Sequence, residues 1–340
     1  FHAEDGIRDA RSSLVGSEMC IRDRADTIWL NEATTSWISP MAVWRRDGQN
    51  RRYFDTWNGA TFDGTQNSPV SGDFRIMQGA RSETRDEALV VGVDGDGKIM
   101  GEVWNGSAWS AFPASLGATS QTYWWGFDVA YESSSGDALI VHADGSDLTY
   151  HTWDGGTLTA GAPIPEPLGG TPRQMQLAAH PTSDQMVLVV SNGSSQDYAL
   201  VWNGSGWGNG IPLASDGSGN DRTVVYVAYE QQTGRAMVVY GKGTGAVFYR
   251  IWDGSTGLWS GEASLPGLGG GYARWTTLAS DPGSNNIALG VLTSGNDVWL
   301  AVWGSSGWVA QSLVTTNSTG TTEPAVAVAF EGSSGPVSYT

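Results

Sequence analysis

The chain has little that could carry redox, metal or anion chemistry. Its 340 residues include one cysteine, Cys20, and four histidines. A single cysteine excludes an internal disulfide and any Cys-ligated metal cluster. Lysine and arginine number 18 against 35 aspartates and glutamates, a net charge of −17. That surplus argues against nucleic acid or an anionic membrane surface, where basic side chains would have to neutralise phosphates. No apolar run approaches the roughly twenty residues that span a bilayer, so no membrane insertion is expected of this stretch.

Residues Phe1 to Arg24 stand apart. Ala3-Glu4-Asp5-Gly6-Ile7-Arg8-Asp9 and Leu14-Val15-Gly16-Ser17-Glu18-Met19-Cys20-Ile21-Arg22-Asp23 resemble translated halves of sequencing-library adapters. The segment lacks the basic start and unbroken apolar run of a signal peptide, and it is set aside as one sets aside a fusion scar. The native part is then expected to start near Ala25, as a fragment of a longer gene. Residues 25–340 contain no cysteine, 14 basic and 30 acidic residues, a net charge of −16.

What the chain has in abundance is glycine, 47 residues, and tryptophan, 17. Trp202-Asn203-Gly204-Ser205-Gly206-Trp207 recurs as Trp104-Asn105-Gly106-Ser107-Ala108-Trp109 and as Trp252-Asp253-Gly254-Ser255-Thr256-Gly257-Leu258-Trp259. Looser copies begin at Trp57, Trp153 and Trp303, so the first Trp returns every 47 to 51 residues. Such a period signals a repeat architecture. Within the fourth copy, Gln174–Ala179, Met186–Val190, Tyr198–Trp202 and Trp207–Leu213 read as four short strands separated by turns, two of them opened by Asn-Gly. Four antiparallel strands per fifty residues is a β-propeller blade. The fold class is all-β, with six full blades and the opening strands of a seventh.

Blades alternate in two kinds. The first starts near residues 27, 127, 225 and 326, and the second near 74, 173 and 274. The first kind carries an aromatic three residues before its Trp (Phe54, Tyr150, Tyr249), where the second has Gly101, Ala199 and Leu300. That aromatic is expected to fill space between blades. An alternating ring closes with an even number of blades, and six and eight are both allowed.

The Asn-Gly and Asp-Gly pairs supply the positive-φ residues of tight turns. The first Trp of each motif is expected to pack between blades. The second aromatic, Trp109, Trp207, Trp259 or Trp308, lies past the turn and is a candidate platform for a sugar ring. This Trp-Asp/Asn-Gly-x-x-Trp pattern, over about 25–340, resembles the blades of fucose-binding lectin propellers. The resemblance implies non-catalytic glycan binding at sites between blades, made by an Arg, a Glu and an aromatic. Here no Arg/Glu pair recurs in every blade, so a set of identical sites is not expected. The repeats also resemble tandem arrays of large secreted bacterial proteins.

Arg75, Arg173 and Arg274 recur at 98 and 101 residues and are the other ligand candidates, since a guanidinium fork suits carboxylates and vicinal hydroxyls. The competing reading pairs them with Glu32, Glu132, Glu230 and Glu331. Asp94-Gly95-Asp96-Gly97-Lys98 lacks the third acidic ligand and distal Glu of a calcium loop and is expected to be a plain hairpin. His142, His151 and His180 are read as lying in different blades, outside any metal-ligand spacing. No cofactor, metal or catalytic residue is therefore expected.

The expected function is a non-catalytic extracellular or cell-surface binding and adhesion module, with glycans or surface proteins as partners. A structural or protein-interaction spacer of a large surface protein is the alternative. A glycoside hydrolase would further require two carboxylates across a cleft.

Overall fold

The computed structural model describes residues 27–30, 41–45, 51–56, 61, 64, 66–72, 74–112, 115–119, 125–165, 169–192, 196–215, 224–243, 245–265, 267–269, 271–318, 326–330 and 337–339. The adapter-like segment and the glutamates Glu32 and Glu331 lie outside them. The chain forms two compact bodies that meet in sequence between Ala179 and His180.

In the first body, repeat one carries β1 (Thr27–Leu30), β2 (Met41–Arg45), β3 (Arg51–Thr56) and β4 (Gln66–Ser71). Repeat two carries β5 (Phe74–Arg81), β6 (Ala88–Asp94), β7 (Lys98–Trp104), β8 (Trp109–Ala111) and the short β9 (Gly117–Ala118). Repeat three carries β10 (Phe127–Tyr131), β11 (Ala138–Asp144), β12 (Asp147–Trp153) and β13 (Ala162–Pro163). The body ends on β14 (Pro172–Ala179) of repeat four.

The second body continues repeat four with β15 (Gln185–Asn192), β16 (Asp197–Asn203) and β17 (Trp207–Ala214). Repeat five has β18 (Val225–Tyr229), β19 (Ala236–Gly241), β20 (Val247–Asp253), β21 (Leu258–Trp259) and β22 (Ala263–Leu265). Repeat six has β23 (Ala273–Ser280), β24 (Asn286–Thr293), β25 (Val298–Gly304) and β26 (Trp308–Thr315). β27 (Val328–Phe330) and β28 (Val337–Tyr339) open a seventh. Within each body the strands of a repeat pair antiparallel with their neighbours, and β9 and β22 add to β7 and β20. This is the blade pattern and the six-plus-part count that the sequence period implies.

The middle of a second strand such as β6, Leu89 to Val93, is an unbroken apolar run because both of its faces are buried against other blades. In β6, Leu89, Val91 and Val93 pack with Phe127, Val129 and Ile140 of repeat three, whereas Ala88 and Val90 pack with Phe54 and Val70 of repeat one. In the second body, Met237 and Val239 meet Leu278, Ile287, Leu289 and Val291.

Two of the three aromatics that distinguish the two kinds of blade, Phe54 and Tyr249, fill the interfaces as expected. The Phe54 ring lies 6.4 Å from Trp104 and 6.0 Å from Trp109. Tyr249 lies 5.4 Å from Trp303 and 5.6 Å from Trp308. Gly101, at the matching position of repeat two, is there for a different close approach: a Cβ on it would collide with the Phe112 ring. Phe112 in turn packs 5.2 Å from Trp153. Gly101→Ala should therefore cost about 1–3 kcal/mol by overpacking. Chemical denaturation followed by tryptophan emission reads this, and a neutral result would mean that Phe112 can move aside freely.

Candidate functional site

Every described Trp-x-Gly motif that ends in Trp closes in the same way. Trp104 pairs directly across strands with Trp109, Trp202 with Trp207, Trp252 with Trp259, and Trp303 with Trp308. Their ring centroids lie 5.3–5.9 Å apart at tilted or edge-on angles. Opposed aromatics of this kind stabilise a hairpin. The Asn or Asp that follows the first Trp caps the turn: Asn203 Oδ1 accepts from the Ser205 and Gly206 amides at 3.0 and 2.9 Å, and Gly204 takes a φ of 90°. The Asp94 loop is likewise a hairpin, with Asp94 Oδ1 accepting from the Asp96 and Lys98 amides.

The first Trp does more than pack. Trp153 Nε1 donates to Glu87 at 3.0 Å, Trp252 Nε1 to Gln185 at 2.7 Å, and Trp303 Nε1 to Glu230 at 2.7 Å. Each acceptor belongs to the preceding repeat, so these bonds latch neighbouring blades. Glu87 also accepts from Tyr131 Oη at 2.9 Å and pairs with Arg85 at 3.0 Å. Burial and the adjacent Glu87 carboxylate push the Tyr131 hydroxyl pKa well above its usual value.

The expected pairing of the recurrent glutamates with Arg75, Arg173 and Arg274 does not hold for Glu230. Its ion-pair partner is Arg235, five residues on in the same repeat, with Nε 2.8 Å from Oε2 and Nη2 2.9 Å from Oε1. The distance is local because Tyr229 ends β18 and Ala236 begins β19, so the turn between them brings both side chains together. Glu230 is fully buried, and its carboxylate raises the Arg235 pKa further. Arg75 and Arg274 sit at matching register breaks in β5 and β23, between Phe74/Ile76 and Ala273/Trp275. A bulge re-aims the side chain it carries, which accounts for the recurrence of these two positions in structural terms.

A cavity of about 430 Å³ opens between repeats five and six. Its walls include Tyr249, Trp259 and Trp303, with Arg235 and Asp253 as charged groups and Leu258 at its edge. Leu258 is 67 % exposed. Arg235 Nη2 also donates to the Ser305 carbonyl, and Ser305 holds a φ of 55°. The Asp253 carboxyl is held below its usual pKa, first by the Ser255 hydroxyl and by backbone amides of its turn. Trp259 is fixed by its Nε1 bond to the Asn209 carbonyl at 2.8 Å.

Of the seven residues singled out in the sequence, Trp259 lines this cavity. Arg75, Arg173, Arg274, Trp109, Trp207 and Trp308 do not. Trp109 is 8 % exposed and belongs to the packing between repeats one and two. Arg235 escaped notice because it breaks the repeat: Asp137 occupies its position in repeat three. Its signal was local, an arginine five residues after a recurrent glutamate across a turn.

The blades and their stacking define the class as an all-β propeller. No family model matches the chain, and no curated protein matches it. Solved structures do. The BP39L lectin from Burkholderia pseudomallei is similar over 86 % of this chain and 96 % of its own, with a TM-score of 0.60 at 11 % identity. The SapL1 lectin, solved in complex with alpha methyl fucoside, is similar over 88 % of this chain and 98 % of its own, with a TM-score of 0.50 at 15 % identity. An arginine mutant of AofleA from Arthrobotrys oligospora is similar over 87 % and 88 %, with a TM-score of 0.50 at 13 % identity.

Proposed function

We propose that this chain is a non-catalytic carbohydrate-binding propeller that takes a neutral glycan residue in the cavity between repeats five and six. The observation that carries this reading is the wall chemistry. Three aromatic side chains line the same cavity as a guanidinium that is already fixed by a buried carboxylate. Aromatic faces suit the C–H surface of a pyranose, and with Nε and Nη2 of Arg235 engaged by Glu230 and Ser305, its fixed Nη1 is left to donate to a sugar hydroxyl at little entropic cost. Arg235 is balanced by Glu230, and Asp253 adds a further negative charge, so an anionic sugar is disfavoured. The structural likeness to lectins supports the same class of ligand. A setting outside the cell or at its surface, in an adhesion role, goes with this reading.

The test is a glycan array probed with residues 25–340. Binding to a subset of neutral glycans, lost in Trp259→Ala and kept in Trp109→Phe, is the expected result. No binding to any glycan, or binding indifferent to Trp259, would overturn it and favour a spacer or protein-interaction role.

A further inference from the structure

Of the three histidines read as lying in different blades, His142 and His151 share one blade and His180 does not. His142 lies on β11 and His151 on β12 of the same blade. His142 pairs with Thr149, two residues before His151, so both side chains share one face of the sheet. Their Nε2 atoms are 3.3 Å apart, and the pair is buried, at 1 % and 5 % exposure.

The hydrogen-bond count around them does not close. His142 Nδ1 lies 3.1 Å from the Ala143 carbonyl, and His151 Nδ1 lies 2.9 Å from the Thr159 carbonyl. Carbonyl oxygens only accept, so each Nδ1 must carry the proton, which leaves a lone pair on each neutral Nε2. The Leu116 carbonyl lies 2.9 Å from His151 Nε2. With both rings neutral and protonated at Nδ1, three acceptors therefore converge with no donor among them, and either a proton on His151 Nε2 or a cation closes the count. The other neutral tautomer of His151 satisfies Leu116 but sets a Nδ1 lone pair against Thr159.

Repeat five shows what would normally resolve this. Tyr240 and Arg250 occupy the equivalent positions there, and Tyr240 Oη donates to Glu262 at 2.6 Å. The residue at the Glu262 position of repeat three is Gly161, and a Cβ on it would lie 3.2 Å from His151 Cε1. Repeat three has thus replaced an internal donor–acceptor pair by two imidazoles, with a glycine where the carboxylate stands.

We propose that His142 Nε2, His151 Nε2 and the Leu116 carbonyl bind a divalent transition-metal ion of the zinc class. Ligand atoms on a tetrahedral ion with bonds of about 2.0–2.1 Å stand roughly 3.3 Å apart, which is the spacing of the two Nε2 atoms. Imidazole and carbonyl donors suit Zn²⁺, Ni²⁺ or Cu²⁺. The two Nδ1–H bonds to backbone carbonyls are the outer-shell contacts that fix ligating histidines in the correct tautomer. Among the described residues no group of three or more His, Cys, Asp or Glu side chains is placed to hold a metal. The third ligand is a backbone oxygen, which side-chain patterns do not reveal.

The test is titration of the tag-free, metal-stripped chain with Co²⁺, read by visible absorption and by bound metal after desalting. The expected result is one tightly held ion per chain with tetrahedral absorption, competed by Zn²⁺. The uptake should vanish in His142→Asn and His151→Asn and persist in His180→Asn. Histidine ¹⁵N spectra of the unmodified protein give a second measure that needs no variant: Zn²⁺ should shift both Nε2 signals together. No stoichiometric uptake, uptake that survives both substitutions, or Nε2 signals that respond to pH and not to Zn²⁺ would overturn the proposal. The last outcome would assign the site to a shared proton.

Discussion

Arg52→Ala should lower the stability of the first body by about 3–5 kcal/mol, the cost of stranding one partner of a buried ion pair. The Arg52 side chain is fully buried and its Nη1 lies 3.1 Å from Glu102 Oε1, itself 1 % exposed. Arg52 also reaches the Val90 and Met100 carbonyls at 3.4 and 3.3 Å, and its guanidinium sits 3.7 Å above the Phe74 ring. Ser68 donates to the other Glu102 oxygen. Burial lowers the Arg52 pKa, and the Glu102 charge opposes that shift. Removing the arginine leaves a carboxylate in an apolar interface between repeats one and two, with Ser68 as its remaining partner. The double change Arg52→Met with Glu102→Leu should recover most of the loss, because it removes both desolvation costs. Urea unfolding followed by tryptophan emission measures both. A single-variant cost within the surface-pair range of about 0–1 kcal/mol would show that water reaches the site.

The second large effect is expected at Glu230. Its carboxylate accepts from Arg235 twice, from Trp303 Nε1 and from the Thr233 hydroxyl. It therefore holds two walls of the cavity at once. Glu230→Gln keeps the shape but removes the charge that aligns the guanidinium. If the cavity is the glycan site, affinity should fall roughly 10–100-fold, the scale of one lost charge-assisted hydrogen bond. Isothermal titration with the best array ligand reads this loss. Arg235→Lys should behave similarly, since an ammonium cannot reproduce the fork. Unchanged affinity in both variants would place the ligand elsewhere on the propeller.

The blade was legible in the sequence because its determinants are local. The expected strand at Met186–Val190 is found within Gln185–Asn192, and that at Tyr198–Trp202 within Asp197–Asn203. Asn-Gly and Asp-Gly dipeptides fix turn geometry over four residues, and an unbroken apolar strand follows from burial on two faces. The two kinds of blade were legible for a related reason: an aromatic that fills an interface must recur with the interface. Phe54 and Tyr249 are found against the Trp pair of the next blade.

The sites were harder to read, for the opposite reason. A repeat makes recurring residues conspicuous, and recurrence here records structural duty. Trp109 and Trp308 close hairpins, and Arg75 and Arg274 sit at strand bulges. Trp259, a recurrent residue, lines the cavity, but the other groups proposed to meet something outside the fold break the repeat. Arg235 replaces an aspartate, and the histidine pair replaces a tyrosine and an arginine. Neither cluster can be recognised until distant parts of the chain are brought together: Arg235 with Trp303 and Ser305, and His151 with the carbonyl of Leu116.

The sequence by itself determined the all-β class, the fifty-residue blade, its turns and the alternation of blade types, since each depends on spacing within one repeat. The tertiary structure alone decided which polar groups become partners across an interface. That choice rests on how neighbouring sheets stack, on the room a glycine such as Gly101 or Gly161 leaves, and on backbone oxygens that carry no sequence signature.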